Sequence, residues 1–262
     1  MSISFTVGRE RIRFAGKTDI GQVRAHNEDA MSVPTDMPLA VVSDGMGGHA
    51  SGEVASRITV DSIADHYRRT AEEAAATWPL RLPQMQVERD RMVTAIKLAN
   101  VMVYETGAQD PSKKGMGCTV DAMFFTQGRF YIGHVGDSRV YRIREGQMTQ
   151  LTEDHSLLND WKRMKEMSGE EVERFPYKNV VIRALGLSQY VFVDLVVDEY
   201  RVGDVYLLCS DGLSGMLEEP AMVQMVQADT SLDNVCAALV RAANEAGGGD
   251  NITVVLARVE AA

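Results

Sequence analysis

The chain has 262 residues, 37 of them acidic against 27 basic, for a formal net charge of −10. Apolar residues make up 45% and charged residues 24%, which excludes wholesale disorder, and the acidic balance argues against nucleic acid or an anionic membrane as the principal partner. The longest unbroken apolar run, Val235–Val240, falls far short of the roughly 20 residues that span a bilayer. The opening residues alternate apolar and basic positions without the apolar stretch of a secretory signal, so the expected compartment is the cytoplasm.

Ser51 is placed to cap a helix over 52–69, in which Val60, Ile63, Ala64 and Tyr67 fall on one stripe. A second helix is predicted over about 85–106 from Met92, Ile96, Ala99 and Val103, with TGAQDPSKKG at 106–115 breaking the pattern. From 119 the texture turns β-branched and aromatic (TVDAMFFT, RFYIGHV, SRVYRI), with QG, GD and EGQ between the runs, which predicts antiparallel strands. Residues 156–180 are polar and rich in Met and Glu, the composition of a mobile or helical surface insertion. Strand character returns in VFVDLVVD and VYLLCS. A helix over 231–246 follows, capped by Ser231 and stopped by Gly247–Gly249, and ITVVLARV ends the series as a strand. No repeat or linker interrupts this order, so one domain over 1–262 is expected. Strands on both sides of a helical pair predict an α+β sandwich rather than a parallel βαβ fold.

Three aspartates stand at the edges of apolar strands: Asp44 after LAVVS, Asp211 after VYLLCS, and Asp250 before NITVVLARV. Any one could be only a turn former. Two SDG triplets, at 43–45 and 210–212, favour convergence, and converging carboxylates must take up protons or bind cations. Oxygen ligands suit magnesium or manganese, and no zinc-type set of His and Cys accompanies them. Cys118, Cys209 and Cys236 have Phe124, Gly215 and Ala242 six positions on, where a thiol phosphatase needs arginine. DGMGG fails as a dinucleotide turn because Ala50 stands where the third glycine belongs, and GKT at 16–18 fails as a phosphate loop because Arg11 stands at its first glycine. The chain also lacks an Asp-x-Asp pair, which removes a phospho-aspartate nucleophile and leaves bound water.

The blocks VRAHNEDA (23–30), VVSDGMGGH (41–49), GCT (117–119), HVGDSRVYRI (134–143), LTEDHS (151–156), IRALG (182–186), LLCSDGL (207–213) and GGGDNIT (247–253) resemble the bacterial type 2C metal-dependent Ser/Thr protein phosphatases, in family order over most of the chain. The resemblance implies two antiparallel β-sheets packed face to face and flanked by pairs of helices, with a flap over about 156–182. It implies two manganese or magnesium ions bridged by Asp44, with the Gly45 carbonyl, Asp211 and Asp250 as further ligands and Asp29 behind them. Arg24 would hold the substrate phosphate, and Asp137 would share a third, weaker ion with Asp211, although a hairpin aspartate capping Arg139 is the alternative. The implied substrates are phosphorylated proteins, a Ser/Thr kinase and its targets among them, and the implied state is a monomer.

Two departures stand out. Met46 occupies the position of a histidine that animal members carry as a proposed general acid, and His49 nearby could serve instead or be an ordinary surface histidine. Cys118 replaces the usual threonine of GTT, where a packing role is expected. A catalytically dead relative is a competing reading, which the presence of Asp44, Asp211 and Asp250 opposes. A hydrolase of small phosphate esters would share the same site.

Overall fold

The structure, a computed structural model, describes residues 2–47, 51–71, 84–165, 167, 169–177 and 180–262. Among these, β1 (Ile3–Val7), β2 (Glu10–Asp19), β13 (Ile252–Ala261), β12 (Val205–Cys209), β9 (Arg139–Arg144) and β10 (Gln147–Gln150) form a six-stranded sheet in that order. A second sheet of five strands runs β11 (Asp194–Glu199), β8 (Arg129–Val135), β7 (Val120–Thr126), β4 (Leu39–Ser43) and β3 (Ala30–Ser32). Neighbours in both sheets are antiparallel.

Both faces of each sheet are covered, which is why the central strands read as unbroken apolar runs rather than as alternating ones. Between the sheets lie Ile12, Phe14, Val42, Phe125, Leu208 and Val255. The outer face of the five-stranded sheet packs Val120, Ala122 and Tyr131 against Ile63 and Tyr67 of α1 (Ser51–Arg69) and Met92 and Ile96 of α2 (Gln84–Gln109). The outer face of the other packs Leu207, Val254 and Leu256 against Met222 of α6 (Glu219–Ala228) and Val235 and Leu239 of α7 (Leu232–Glu245). Each such side chain stabilises the fold by roughly 1.5–3 kcal/mol relative to exposure. The α+β sandwich and its antiparallel strands are as the sequence leads one to expect, and no helix among the described residues is long and apolar enough to cross a membrane.

Ser231 caps α7 by accepting from the Asn234 amide, as its position predicts. The second helix, by contrast, continues to Gln109, past the expected break at 106. Thr106 stays helical by donating its hydroxyl to the Met102 carbonyl (2.7 Å), and the stop comes only where Asp110 caps a 3-10 turn at Pro111–Lys113. The first hairpin is an addition to the predicted elements. Ile12 and Phe14 are fully buried, Arg13 pairs with Glu260 across the ladder (2.5 Å), and β2 aligns with β13 from Asp19↔Ile252 to Glu10↔Ala261. The alternation of Arg11, Ile12, Arg13 and Phe14 is thus the two-faced pattern of a strand. Within 156–182, α3 (Leu157–Met164) and α4 (Gly169–Glu173) bear out the helical reading, and a bridge between Ser156 and Val181 closes the base of the segment.

The registers fix where the strand ends meet. Cys209 of β12 faces Val254 of β13 and Arg139 of β9, so the residues after β12, before β13 and before β9 share one end of the six-stranded sheet. The end of β4 in the opposing sheet carries Asp44 to the same place, as the mutual effects of the carboxylates show.

Candidate active site

Asp44 leaves β4 on a backbone held from both sides: its amide donates to Thr119 Oγ1 (2.9 Å), and its carbonyl accepts from the Thr119 amide (2.8 Å). Gly45 then pairs with Cys118, and its amide donates to the Glu28 carbonyl (3.1 Å). A Cβ on Gly45 would overlap the Glu28 and Gly52 carbonyl oxygens, so only glycine lets this backbone lie against the start of α1. Asp211 opens the short α5 (Asp211–Ser214), and Gly212 is pressed equally hard against the Asn251 carbonyl.

Five carboxylates converge. Burial pushes Asp44 well above the ordinary carboxylate range, and the charges of Asp29, Asp211, Asp137 and Asp250 push it further. Asp211 is raised by burial and by the charge of Asp250, against which hydrogen bonding with Asp44 works. Asp137 is pushed up to about 7 by burial and by the charges of Asp211 and Asp154. Asp29, 5% exposed, is also raised to about 7, chiefly by burial; Ser210 Oγ donates to its Oδ2 (2.8 Å), while its buried Oδ1 has no partner. Two unit charges about 5 Å apart repel by roughly 3 kcal/mol at an effective dielectric of about 20, so the cluster holds together only with protons or cations.

Arg24 lies half exposed on the loop after β2 and donates Nη2 to Asp250 Oδ2 (2.7 Å). That bond and the charges of Asp250, Glu28 and Asp44 raise its pKa further. The loop is tied down by Asn251, whose Oδ1 accepts from the Glu28 amide (2.8 Å) and whose Nδ2 donates to the Ile20 and His26 carbonyls (2.9 Å each). Asn251 follows Asp250 in sequence, so one turn carries both the acid and the clamp on Arg24's loop. As a single asparagine after an aspartate it gave no sign of this task. Ser210 and Thr119 are further supports whose only sequence mark is their place inside an SDG and a GCT block.

Arg139 does not turn to Asp137. Its guanidinium forms a fork on Asp154, with Nε at 2.9 Å from Oδ1 and Nη2 at 2.7 Å from Oδ2, which leaves the Asp137 carboxylate facing Asp211 and removes the capping role considered for it. Met46 pairs with Gly117 in the two-residue ladder beside Asp44. His49 lies outside the described residues. Cys118 is fully buried with Sγ 3.0 Å from Thr59 Oγ1, and burial lifts its thiol to about 11, in keeping with a packing role.

Among the described residues no three acidic, histidine or cysteine side chains close on one point as a ready metal cage, and Asp250 is bonded to Arg24. The donor chemistry nonetheless fits hard divalent cations: carboxylates throughout, with one buried oxygen of Asp29 unpartnered behind them and the three thiols buried with raised pKa values.

Known proteins carry the same framework. The serine/threonine phosphatase stp of Listeria monocytogenes is 36% identical over 247 residues, covering 92% of this chain and 93% of the relative. The crystal structure of the Mycobacterium tuberculosis serine/threonine phosphatase PstP superposes with a TM-score of 0.82 at 32% identity, covering 95% of this chain and 99% of that one. The catalytic domain of PstP in complex with two manganese ions gives a TM-score of 0.80 at 32% identity, over 95% of this chain and 98% of that one. The family model for protein phosphatase 2C matches residues 21–253, which reach from the loop of Arg24 through Asp44, Asp137 and Asp211 to Asp250, and with that span the chain belongs to the protein phosphatase 2C family.

Proposed function

We propose that the chain removes phosphate from phosphoserine and phosphothreonine in proteins, with divalent cations as cofactors, and that it opposes a Ser/Thr kinase acting on the same targets. Support comes above all from one observation: the charges of Asp137, Asp211 and Asp250, all distant from Asp44 in sequence, act together on its buried carboxylate, and half-exposed Arg24 is bonded to Asp250 beside them. Asp44, the Gly45 carbonyl, Asp211 and Asp250 are proposed to hold two manganese or magnesium ions, and Asp137 with Asp211 a third, weaker one. Asp29 stands behind this set, with its unpartnered oxygen available to orient what the others hold.

Divalent cations bound there would supply a nucleophile at neutral pH, since water on such an ion loses its proton with a pKa lowered from about 15.7 towards about 7. The protein's own part is positioning. Arg24 offers a planar fork suited to two phosphoryl oxygens, and substrate phosphate would take it from Asp250, freeing that carboxylate. Fixed Thr119 and Asn251 hold the Asp44 and Arg24 backbones, so little reorganisation accompanies the reaction. No side chain of the set needs to become phosphorylated. The leaving alcohol takes its proton from water or from an acid other than Met46, which has none to give.

The whole of 1–262 is read as one catalytic domain, monomeric and cytoplasmic, in which the 156–182 segment selects peptides. Manganese-dependent phosphate release from a phosphothreonine peptide, with chelator and p-nitrophenyl phosphate controls, tests the proposal. Turnover of the small ester alone would instead mark a hydrolase of small phosphate esters.

A further inference from the structure

Behind the carboxylate pit lies a histidine that the proposed reaction does not use. His155, 4% exposed, grips Gly136 twice: its amide donates to the Gly136 carbonyl (2.7 Å), and its Nδ1 accepts from the Gly136 amide (3.0 Å). Gly136 has φ 119, a conformation that side chains rarely adopt, and an added Cβ would meet Thr119, so the turn into Asp137 is built on glycine and held from one side by this ring.

The other side of His155 faces the base of the 156–182 segment. Its carbonyl accepts from the Ile182 amide (2.9 Å), next to the Ser156–Val181 bridge. With Nδ1 committed as acceptor, Nε2 carries the proton and donates to Asp194 Oδ2 (3.2 Å), while Arg183 Nη1, which also lies 2.9 Å from Nε2, donates to Asp194 Oδ1 (2.7 Å). Burial and the neighbouring His134, whose ring centroid is 4.7 Å away, keep His155 neutral by lowering it to about 4. His134 is itself fixed by Asp121 Oδ1 (2.8 Å) and the Glu153 carbonyl (3.0 Å).

We propose that His155 is a positioning residue, which holds the Gly136–Asp137 turn against the base of the 156–182 segment so that the Asp137 carboxylate faces Asp211. The consequence for metal binding rests on the reading of Asp137 as a ligand; the hold on the turn does not.

Two substitutions divide the ring's functions. In His155→Asn, Oδ1 stands near the place of Nδ1 and still accepts from Gly136, whereas in His155→Gln the longer amide reaches Asp194 and offers nothing to Gly136. Amide exchange at Gly136, followed by NMR without metal, is expected to stay within about threefold of wild type in the Asn variant and to accelerate at least about tenfold in the Gln variant. Calorimetric manganese titration is expected to show the weakest site lost in His155→Gln and kept in His155→Asn. Asp194→Ala, a half-exposed change that threatens folding least, is expected to accelerate Gly136 exchange several-fold with little shift in Tm. Equal exchange at Gly136 in all three variants and wild type overturns the proposal, as does acceleration in both histidine variants that merely follows their Tm. If Gly136 exchange responds as expected but Asp137→Asn binds manganese like wild type, the reading of Asp137 fails and the hold on the turn stands.

Discussion

Arg24 Nη2 lies 2.7 Å from Asp250 Oδ2, so the cation proposed to clamp phosphate rests on a carboxylate proposed to bind metal. Substrate and Asp250 therefore compete for one guanidinium. A clamp that works mainly in the ground state contributes uniform binding. Arg24→Ala is expected to raise KM for a phosphothreonine peptide about tenfold or more while changing kcat less, as read from initial rates at saturating manganese. A loss confined to kcat would move Arg24 to the transition state.

The Asp44 carboxyl is raised well above its ordinary range by burial and then by the charges of Asp29, Asp211, Asp137 and Asp250. Asp44→Asn removes the charge and keeps the shape. Less than about a tenth of wild-type turnover is expected at any manganese concentration, a barrier increase above about 1.4 kcal/mol. Near-normal rates would sink the metal assignment.

Asp137→Asn separates ligand from turn former. Since Arg139 is engaged by Asp154, the substitution breaks no hydrogen-bonded ion pair at the turn, and thermal unfolding is expected to stay close to wild type. Phosphopeptide turnover is expected to fall about tenfold, or about 1.4 kcal/mol in barrier. Full turnover after loss of a weak manganese site would make that site incidental.

Gly45→Ala tests the close approach of two backbones. Its Cβ would meet carbonyl oxygens of Glu28 and Gly52, neither on a flexible side chain, so the cost is expected at the upper end of the roughly 1–3 kcal/mol for overpacking. Denaturant unfolding would show it as a lower midpoint.

A stability prediction lies away from the site. Asp204, 1% exposed, accepts a fork from Arg144 (2.6 and 2.7 Å) and a bond from the Arg201 amide (2.8 Å); burial opposes its charge, but these partners prevail and lower its pKa. A lowered carboxylate adds stability that is complete above its unfolded value of about 3.9 and is lost as pH falls through the folded value. Asp204→Asn is expected to cost about 2–4 kcal/mol at pH 7, measured by urea unfolding. The gap to wild type should hold down to about pH 5 and narrow only below about pH 4.

The strand-end aspartates were legible because an apolar run announces a strand and an acid at its end has few places to go. The two SDG triplets favoured convergence of Asp44 with Asp211, but the topology that brings it about, one sheet facing another, came from the family resemblance and not from periodicity. The β1–β2 hairpin was not among the predicted elements, although the alternation of apolar and basic positions in the opening residues is that of a strand with one exposed face. Asn251 and His155 stand inside the GGGDNIT and LTEDHS blocks, but their tasks were not legible there: each makes bonds to backbone atoms, and backbone atoms leave no trace in a sequence.

The pairing of β2 with β13 joins residues 10–19 to 252–261, about the largest sequence separation the chain offers. Asp250 and Asn251 stand at the start of that last strand, the first as a proposed ligand and the second as the tie on Arg24's loop. During synthesis, then, Asp44, Asp137 and Asp211 leave the ribosome before Asp250, proposed as their fellow ligand, and before β2 has its second neighbour. Hydrolytic competence would appear as a late, single event, so a nascent enzyme would pass its growth without disturbing the phosphoproteins around it.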